Sequence, residues 1–589
     1  MTTSTLTPLE PIPSSILLAP SPTKEETTPR LPRPVAVFFG TLAAIVLLNI
    51  VIYLPVSNSP FAIDDTLQLR NSGNLQSQQF ATPHWLPIAT LAMDQSLYGV
   101  NVRGFRFTSV CIHLVASCLV FWTVCVTLGM RGLPTRLVDA KLEIAAFSAI
   151  CWSVHPLQTQ AVMYTVQRTE TLMAMFFLAA MLLFALALKT RKKTVFLISS
   201  AACYFAAVGC KEAAIAIPPV LLAFDLVFSE RESSLTVKNR LLNIAKSGAW
   251  FYVLLLLLSY PFAKPLLQAA TVLSGNDASP QAAATPNPSG VSDATGLTSL
   301  TYLATQTKVI AKYVQLASLP LGQNVDHGLE VSSIPFDRYF FPCFIGSLCL
   351  FGVYAAMKRW PIGFCLAAFF FTLAPTSSII PLPELMVEHR MYLPLAFFIA
   401  PLASLAFTTI THRKTAVSIG VLLCVLLTGF SVARAQAYRN GISLWSDSTA
   451  KNPDNPRAMM RLAQSFEEAG KYPRAIETFE KALALMADRE RVPSLITVEA
   501  IRIELSETQN NYAIILTRNK NYTAAREQLE MALENNPQNA AAHNSLGNVF
   551  VRLGDKASAK LSYEAALMID PRMEMALKNL AIINATSKN

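Results

Sequence analysis

Apolar runs fill the chain from residue 35 to residue 433, and almost none follow. A helix needs about 20 mainly apolar residues to cross the hydrocarbon core of a bilayer. Spans are therefore expected near residues 35–55, 107–130, 143–156, 170–188, 194–210, 213–228, 247–263, 340–357, 361–376, 391–411 and 415–433, about eleven in all. The third, fifth, sixth and ninth are short for the purpose. The pattern predicts an all-α chain whose first part is a polytopic membrane domain.

Between these runs the cations alternate. Arg131, Arg136 and Lys141; Lys189, Arg191, Lys192 and Lys193; Arg231, Lys238, Arg240 and Lys246; Lys358 and Arg359; Arg413 and Lys414 all fall in loops on one side. Basic loops mark the cytosolic face. Residues 56–106, the turn at 156–169, the 264–339 loop, the 377–390 loop and everything after 433 are then assigned to the outer, lumenal or extracytoplasmic face.

After Pro456 the chain repeats itself. Ala525 and Ala559, Ala532 and Ala566, and Pro537 and Pro571 each lie 34 residues apart, in "NNYAIILTRNKNYTAAREQLEMALENNP" and "HNSLGNVFVRLGDKASAKLSYEAALMIDP". This is the tetratricopeptide period, with small residues where paired helices touch and Pro after the second helix. Ala475 and Ala482 mark an earlier unit, separated by 16 extra residues around "RVPSLITVEAIRIE". A capping helix is expected near 573–584. The organisation expected is a disordered cytosolic tail over 1–34, a membrane domain over 35–433, a linker over 434–455 and an α-solenoid of about three repeats over 456–589. Stacked helix pairs offer a concave surface suited to an extended peptide.

Composition adds little to this frame. Only 15% of the residues are charged, and the net charge of +10 is largely explained by the basic loops, so no nucleic-acid partner is implied. All ten cysteines fall between Cys111 and Cys424, in or beside apolar runs, without a CxxC pair. No disulfide framework, metal site or cofactor is indicated. The chain also lacks GxxxxGK, HExxH and GxSxG.

The candidate chemistry lies in the outer loops. "FAIDDTLQLRNS" carries Asp64 and Asp65; "HPLQTQAVMYTVQRTE" carries His155, Arg168 and Glu170; "LPLGQNVDHGLE" carries Asp326 and His327; "PELMVEHRMYLP" carries Glu384, Glu388, His389, Arg390 and Tyr392. Ionisable groups at membrane depth are costly and usually line a polar cavity. Carboxylates set beside cations at a membrane surface suit sugar transfer from a polyprenyl phosphate, with a base for the acceptor hydroxyl and cations for the departing phosphate. Bidentate hydrogen bonding makes Arg apt for the second task. The plainer alternatives are helix capping by the two aspartates, a structural ion pair for Arg168, carbonyl-bonding for His155, a bracing pair for Glu388 and Arg390, and a satisfied polar contact for His113.

In order along residues 35–585, these motifs together with "NVRGFRFTSVCIHLVASCLVFW" and "GISLWSDSTAKNPDNPRAMMRLA" resemble the transmembrane and tetratricopeptide-repeat proteins related to protein O-mannosyltransferases. That family is similar to the C-type glycosyltransferases. The resemblance implies an inverting enzyme that moves mannose or another hexose from a polyprenyl phosphate to Ser/Thr of exported proteins, which the repeats engage. It places catalysis on Asp64 and Asp65, donor phosphate binding on Arg168, Arg390 and His155, and supporting roles on Glu388, His389, Tyr392, Asp326 and His327. Two positions depart from the family pattern: Trp85-Leu86-Pro87-Ile88 stands where relatives have an aromatic-Arg-Pro-Leu sequence, and Gln160 stands where Glu is expected. The rival expectations are an idle membrane scaffold holding partners on its repeats, and a ligase or polymerase of lipid-linked oligosaccharides.

Overall fold

The computed structural model describes residues 33–61, 84–229, 236–273, 299–329, 335–377, 382, 384–487 and 497–586. These residues form helices joined by turns, with no strand among them. The catalytic expectation for Asp64 and Asp65 falls on positions outside the described residues.

The first part contains α1 (Arg33–Tyr53), α2 (Trp85–Tyr98), α3 (Val102–Leu128), α4 (Thr135–Asp139), α5 (Lys141–Val154), α6 (Gln158–Met163), α7 (Arg168–Ala187), α8 (Lys193–Val208), α9 (Ile217–Phe228), α10 (Val237–Leu273), α11 (Ser299–Ser318), α12 (Pro335–Met357), α13 (Pro361–Leu373), α14 (Pro394–Thr409) and α15 (Arg413–Ala437). Helices stand at all eleven expected positions, yet among the described residues five stretches are long and apolar enough to cross a membrane alone. They are Arg33–Val56, Val102–Leu128, Thr165–Ala187, Tyr339–Met357 and Arg413–Ala437; a bent pair in α10 would make six. By length and composition alone the described residues thus mark fewer crossings than the about eleven expected. At 1.5 Å per residue, helices the size of α5, α9, α13 and α14 reach only about 18–24 Å, against a core of about 30 Å.

The long helices are apolar on their outer faces as well as their inner ones. Leu47, Leu54, Leu350, Val353, Val421 and Val425 are exposed, Leu350 by 73%. Two helices lie where loops were expected. In α11, Tyr302, Val309, Tyr313 and Leu316 are buried at helical spacing, while Lys308 and Lys312 fall between them. The other, α2, packs against α3 through Leu91, Ala92 and Phe105.

The second part contains α16 (Gly441–Lys451), α17 (Pro456–Glu468), α18 (Tyr472–Ala487), α19 (Val498–Arg518), α20 (Tyr522–Asn535), α21 (Ala540–Leu553), α22 (Lys556–Ile569) and α23 (Glu574–Thr586). The repeat signal has a direct packing counterpart. Ala475, Ala482, Ala525, Ala532, Ala559 and Ala566 are all fully buried. Side chains of Asn455, Thr497, Asn521, Asn539 and Asp555 accept backbone N–H groups of the helices they open, satisfying donors that a helix start leaves unpaired. The 434–455 stretch is itself largely helical, and Leu444, Trp445, Ala458 and Leu462 belong to the same apolar core as the helices before them.

Candidate functional site

Both described flanks of the segment holding Asp64 and Asp65 are anchored near the start of α7. On the entering side, Arg106 of α3 donates to the carbonyls of Val56 (2.9 Å), Ser57 (3.3 Å), Ser59 and Pro60 (2.9 Å). Phe61 packs edge-on against Phe105. On the leaving side, the His84 ring meets the Cys210 carbonyl at 3.1 Å and Glu212 at 3.2 Å, and the Leu86 N–H donates to the Gly209 carbonyl. Gly209 permits this approach, because a Cβ there would stand 2.5 Å from the Trp85 indole nitrogen. Trp85, which departs from the family pattern, thus packs the start of α2 against Gly209 at the end of α8.

Arg168 opens α7 and is fully buried. Its guanidinium meets Asp94 of α2 at 2.7 Å, donates to the Phe105 carbonyl at 2.7 Å and reaches Ser109 at 3.4 Å. Thr108 donates to the other Asp94 oxygen at 2.8 Å. The partner of Arg168 is therefore Asp94, with Glu170 paired elsewhere. A group sealed in this way has no open route to a phosphate, and its evident effect is to lock α2 and α3 against the start of α7.

Two residues along, Glu170 pairs with Lys211, whose side chain keeps 19% exposure. Close by, the backbone N–H of His389 donates to Gln160 at 2.8 Å, so the residue standing where Glu was expected fixes the second outer motif to the fourth. The Nδ1 atom of His389 is buried and makes no hydrogen bond among the described residues. Burial, together with the cations Lys211 and Arg390, pushes the His389 pKa well below its ordinary value and keeps the ring neutral. Arg390 donates to the Glu384 carbonyl at 2.9 Å and reaches the Thr376 and Leu385 carbonyls at 3.5 Å.

Glu388 turns the other way, toward the repeats. It accepts from the Asn324 N–H (2.6 Å) and from Gln323 (3.3 Å), meets His327 at 3.1 Å and lies 3.5 Å from Arg434. Arg434 continues to Asp447 of α16 at 3.0 Å, and Lys451 joins Asp447 to the Gln323 carbonyl. Asp326 pairs with Arg457 of α17, and Asn452 donates to the His327 carbonyl at 3.0 Å. Burial raises the Glu388 carboxyl, but Arg434 and His327 outweigh it and hold the group below its ordinary range. Asp326 is likewise lowered, with Arg457 overcoming its burial. Glu388, Asp326 and His327 therefore clamp the first repeat onto the preceding helices. The bracing pair considered between Glu388 and Arg390 is replaced by one between Glu388 and Arg434.

His155 and Tyr392 are also committed internally. The Leu157 N–H donates to His155 Nδ1 at 3.2 Å, so Nε2 carries the proton it gives to the Ala317 carbonyl at 3.2 Å. No donor remains for a phosphate. His113 is fixed by the same logic: Nε2 donates to the Ser153 carbonyl at 2.9 Å, and Nδ1 accepts from the Tyr392 hydroxyl at 2.7 Å. Trp152 Nε1 donates to the Tyr392 carbonyl at 2.9 Å, completing a link between α3, α5 and the start of α14.

Asp94, Arg106, Lys211 and Arg434 were not singled out from sequence. Arg434 had a usable signal, a cation within the last turn of an apolar run. Asp94 had one too, as a lone carboxylate in "IATLAMDQSLYG". No group of three His, Cys, Asp or Glu side chains placed to hold a metal occurs among the described residues. An apolar cavity of about 710 Å³ lies deeper, lined by residues including Val124, Leu178, Met181, Phe364, Phe369 and Leu405. Leu178 and Met181 are eight and eleven residues along α7 from Glu170, about 12–17 Å at helical rise, so the cavity is separate from the charged cluster.

Comparison with known proteins establishes the repeats. A tetratricopeptide-repeat family model matches residues 431–490 and 513–574. Protein FlbA of Caulobacter vibrioides is 28% identical over 138 residues, which are 20% of this chain and 23% of FlbA. The chain thus covers under a quarter of that relative. Among solved structures, that of MamA is matched at 19% identity and TM-score 0.20, over 25% of this chain and 77% of MamA. The Cut9–Hcn1 assembly of the APC/C is matched at 13% identity and TM-score 0.20, over 93% of this chain and 98% of the matched chain.

Proposed function

We propose that the protein is an integral membrane, polyprenyl-phosphate-dependent glycosyltransferase that passes a hexose such as mannose to Ser/Thr hydroxyls of exported proteins, with its tetratricopeptide repeats engaging the acceptor. The observation that carries the reading is the Glu170–Lys211 pair beside the anchored flanks of the segment bearing Asp64 and Asp65, with the His389 backbone held to Gln160 of the second outer motif. In this scheme one of the two aspartates takes the proton of the acceptor hydroxyl, whose oxygen attacks the anomeric carbon. The sugar–phosphate bond breaks with its electron pair going to the phosphate oxygen, and the configuration inverts, by analogy with single-displacement hydrolysis. Lys211, paired with Glu170 near the start of α7 and partly exposed, neutralises the leaving phosphate. The proposal needs no cofactor.

The apolar outer surfaces of the long helices support a bilayer environment, since an exposed helix hydrophobic on all sides has no stable place in water. Arg33 and Arg413, both expected on the cytosolic side, meet Glu143 together, which agrees with the proposed orientation. In that arrangement the short helices complete the proposed set of eleven crossings by packing behind the long ones. The cavity behind α7 is of a chemistry that suits a hydrocarbon chain.

A scaffold without catalysis is the second reading, favoured by one observation: Glu388, Asp326 and His327 are spent on holding the first repeat. Intact-mass comparison of exported proteins from cells carrying the wild type or the Asp64→Asn, Asp65→Asn variant separates the two. Loss of a single-hexose increment, with the variant expressed normally, is expected for the transferase; an unchanged profile would remove that reading. Loss of a long glycan in place of one hexose would identify an oligosaccharide ligase instead.

A further inference from the structure

The apolar cavity of about 710 Å³ takes no part in the transfer chemistry, and its lining is graded from one end to the other. Along α14 it runs from Ala396 to Thr408, twelve residues or about 18 Å at helical rise. One leaflet, half of a hydrocarbon core of about 30 Å, is about 15 Å deep. The last two turns of α3 and of α14 meet at one end, where Leu128 and Ala403 share an apolar cluster with Leu137 of α4. Every lining side chain that carries oxygen or nitrogen lies on these turns or on α4: Thr123, Thr127, Ser404, Thr408 and Arg136.

Two observations at that end point to a guest. Thr127, Ser404 and Thr408 each donate to a carbonyl of their own helix. Thr123 differs: it is only 5% exposed, and its hydroxyl makes no hydrogen bond among the described residues, a condition that calls for a partner. At the rim, the exposed Arg136 guanidinium makes no hydrogen bond or ion pair among the described residues. Other cations of the basic loops are committed, Lys189 to the Gly129 carbonyl at 2.9 Å, and Arg33 and Arg413 to Glu143. The ligand that these features describe has hydrocarbon below, a hydrogen-bond acceptor at the level of Thr123 and an anion above. A glycerophospholipid has that order in its chain, ester and phosphate.

We propose that the cavity holds an acyl chain of an anionic glycerophospholipid from the cytosolic leaflet, with the phosphate on Arg136 and an ester carbonyl on the Thr123 hydroxyl. The site goes beyond transfer and rests on the proposed orientation for the leaflet alone. A lipid-linked sugar donor would present its phosphate at the outer loops, by the start of α7, whereas the polar end of this cavity lies where α3 and α14 finish. The negative surface potential of the cytosolic leaflet favours an unpaired cation at that level by about 1 kcal/mol. The bound lipid would fill the space between α3, α13 and α14 and tie α4 to the bundle.

Native mass spectrometry of the full-length protein, released from detergent after incubation with dioleoyl phosphatidylglycerol or dioleoyl phosphatidylcholine, reads retained lipid directly. The wild type is expected to retain phosphatidylglycerol roughly fivefold better than phosphatidylcholine. Arg136→Gln should abolish that preference and Arg136→Lys keep most of it, while Thr123→Val weakens retention of both lipids alike. Ala400→Phe and Ser404→Phe place a ring in the cavity and should expel both lipids with Arg136 intact; unfolding temperatures in lipid-free detergent identify whichever filler folds like the wild type. Equal retention of the two lipids by the wild type, a preference that survives Arg136→Gln, or undiminished retention in a folded filler variant overturns the proposal. Displacement of phosphatidylglycerol by inorganic phosphate would reduce the site to one for a free anion and overturn it too. Preferred retention of farnesyl phosphate, indifferent to Arg136, would give the cavity to the sugar donor and overturn it likewise. An unchanged mass profile in the Asp64→Asn, Asp65→Asn variant alongside Arg136-dependent lipid retention would refute transfer and support this site.

Discussion

Arg168 and Asp94 face each other at 2.7 Å with neither side chain exposed, joining the first turn of α7 to a residue of α2 that lies 74 positions earlier. A buried pair is expensive to desolvate, but removing one member leaves the other charged and alone. Asp94→Ala is expected to lower stability by about 3–5 kcal/mol. Thermal unfolding in detergent checks it, and the double variant Asp94→Ala, Arg168→Met should recover part of the loss.

The clamp built by Glu388 predicts where the molecule opens first. Glu388→Ala strips the partner from buried Arg434 and His327 and should expose the chain between α15 and α17 to protease. Limited proteolysis with mass mapping should find new cleavage within 434–455, and retention of the wild-type pattern would argue that the clamp contributes little.

Gly328 offers a subtler probe of the same contact. Its φ of +54° is unfavourable for other residues, and a Cβ there would lie 2.6 Å from Asn452 and 2.7 Å from Asn455. Gly328→Ala should loosen α17, seen as faster amide exchange over 456–468, without altering exchange in α21 and α22.

How much of this was visible beforehand varies with the physics involved. The repeats were legible because a fixed period forces Ala525, Ala559 and their equivalents into identical contacts. Span positions were legible from hydropathy, but their lengths were not. The break between α5 and α6 was legible at His155-Pro156, since proline keeps the residue before it extended, but the engagement of the His155 ring by the Ala317 carbonyl was not. The amphipathic period of α11 was present in the sequence and was hidden inside a segment assigned to a loop. Partner choice was the least legible part. Nothing local to Arg168 distinguishes Asp94 from Glu170, since the decision is made by the packing of α2 on α3.

Acid should weaken the protein in two stages. His389 has a depressed pKa when folded, so the unfolded chain binds its proton more readily; stability falls as the pH drops below about 6.5. Glu388 and Asp326 are also held low, and their contribution, fully present above about pH 4.5, is lost as the pH falls toward their folded values. Unfolding temperatures measured from about pH 7.5 down to about pH 3.5 should show both steps. His389→Gln should remove the upper one.

Glu388 and His389 are consecutive, yet one grips the repeat array while the other borders the charged cluster. The peptide unit between them acts as a lever arm of a single residue. The contacts that hold the first repeat and those that hold the outer motif at Gln160 therefore share one stretch of backbone. By thermodynamic reciprocity, if cargo on the repeats alters affinity for a ligand at the outer loops by some factor, that ligand must alter affinity for cargo by the same factor.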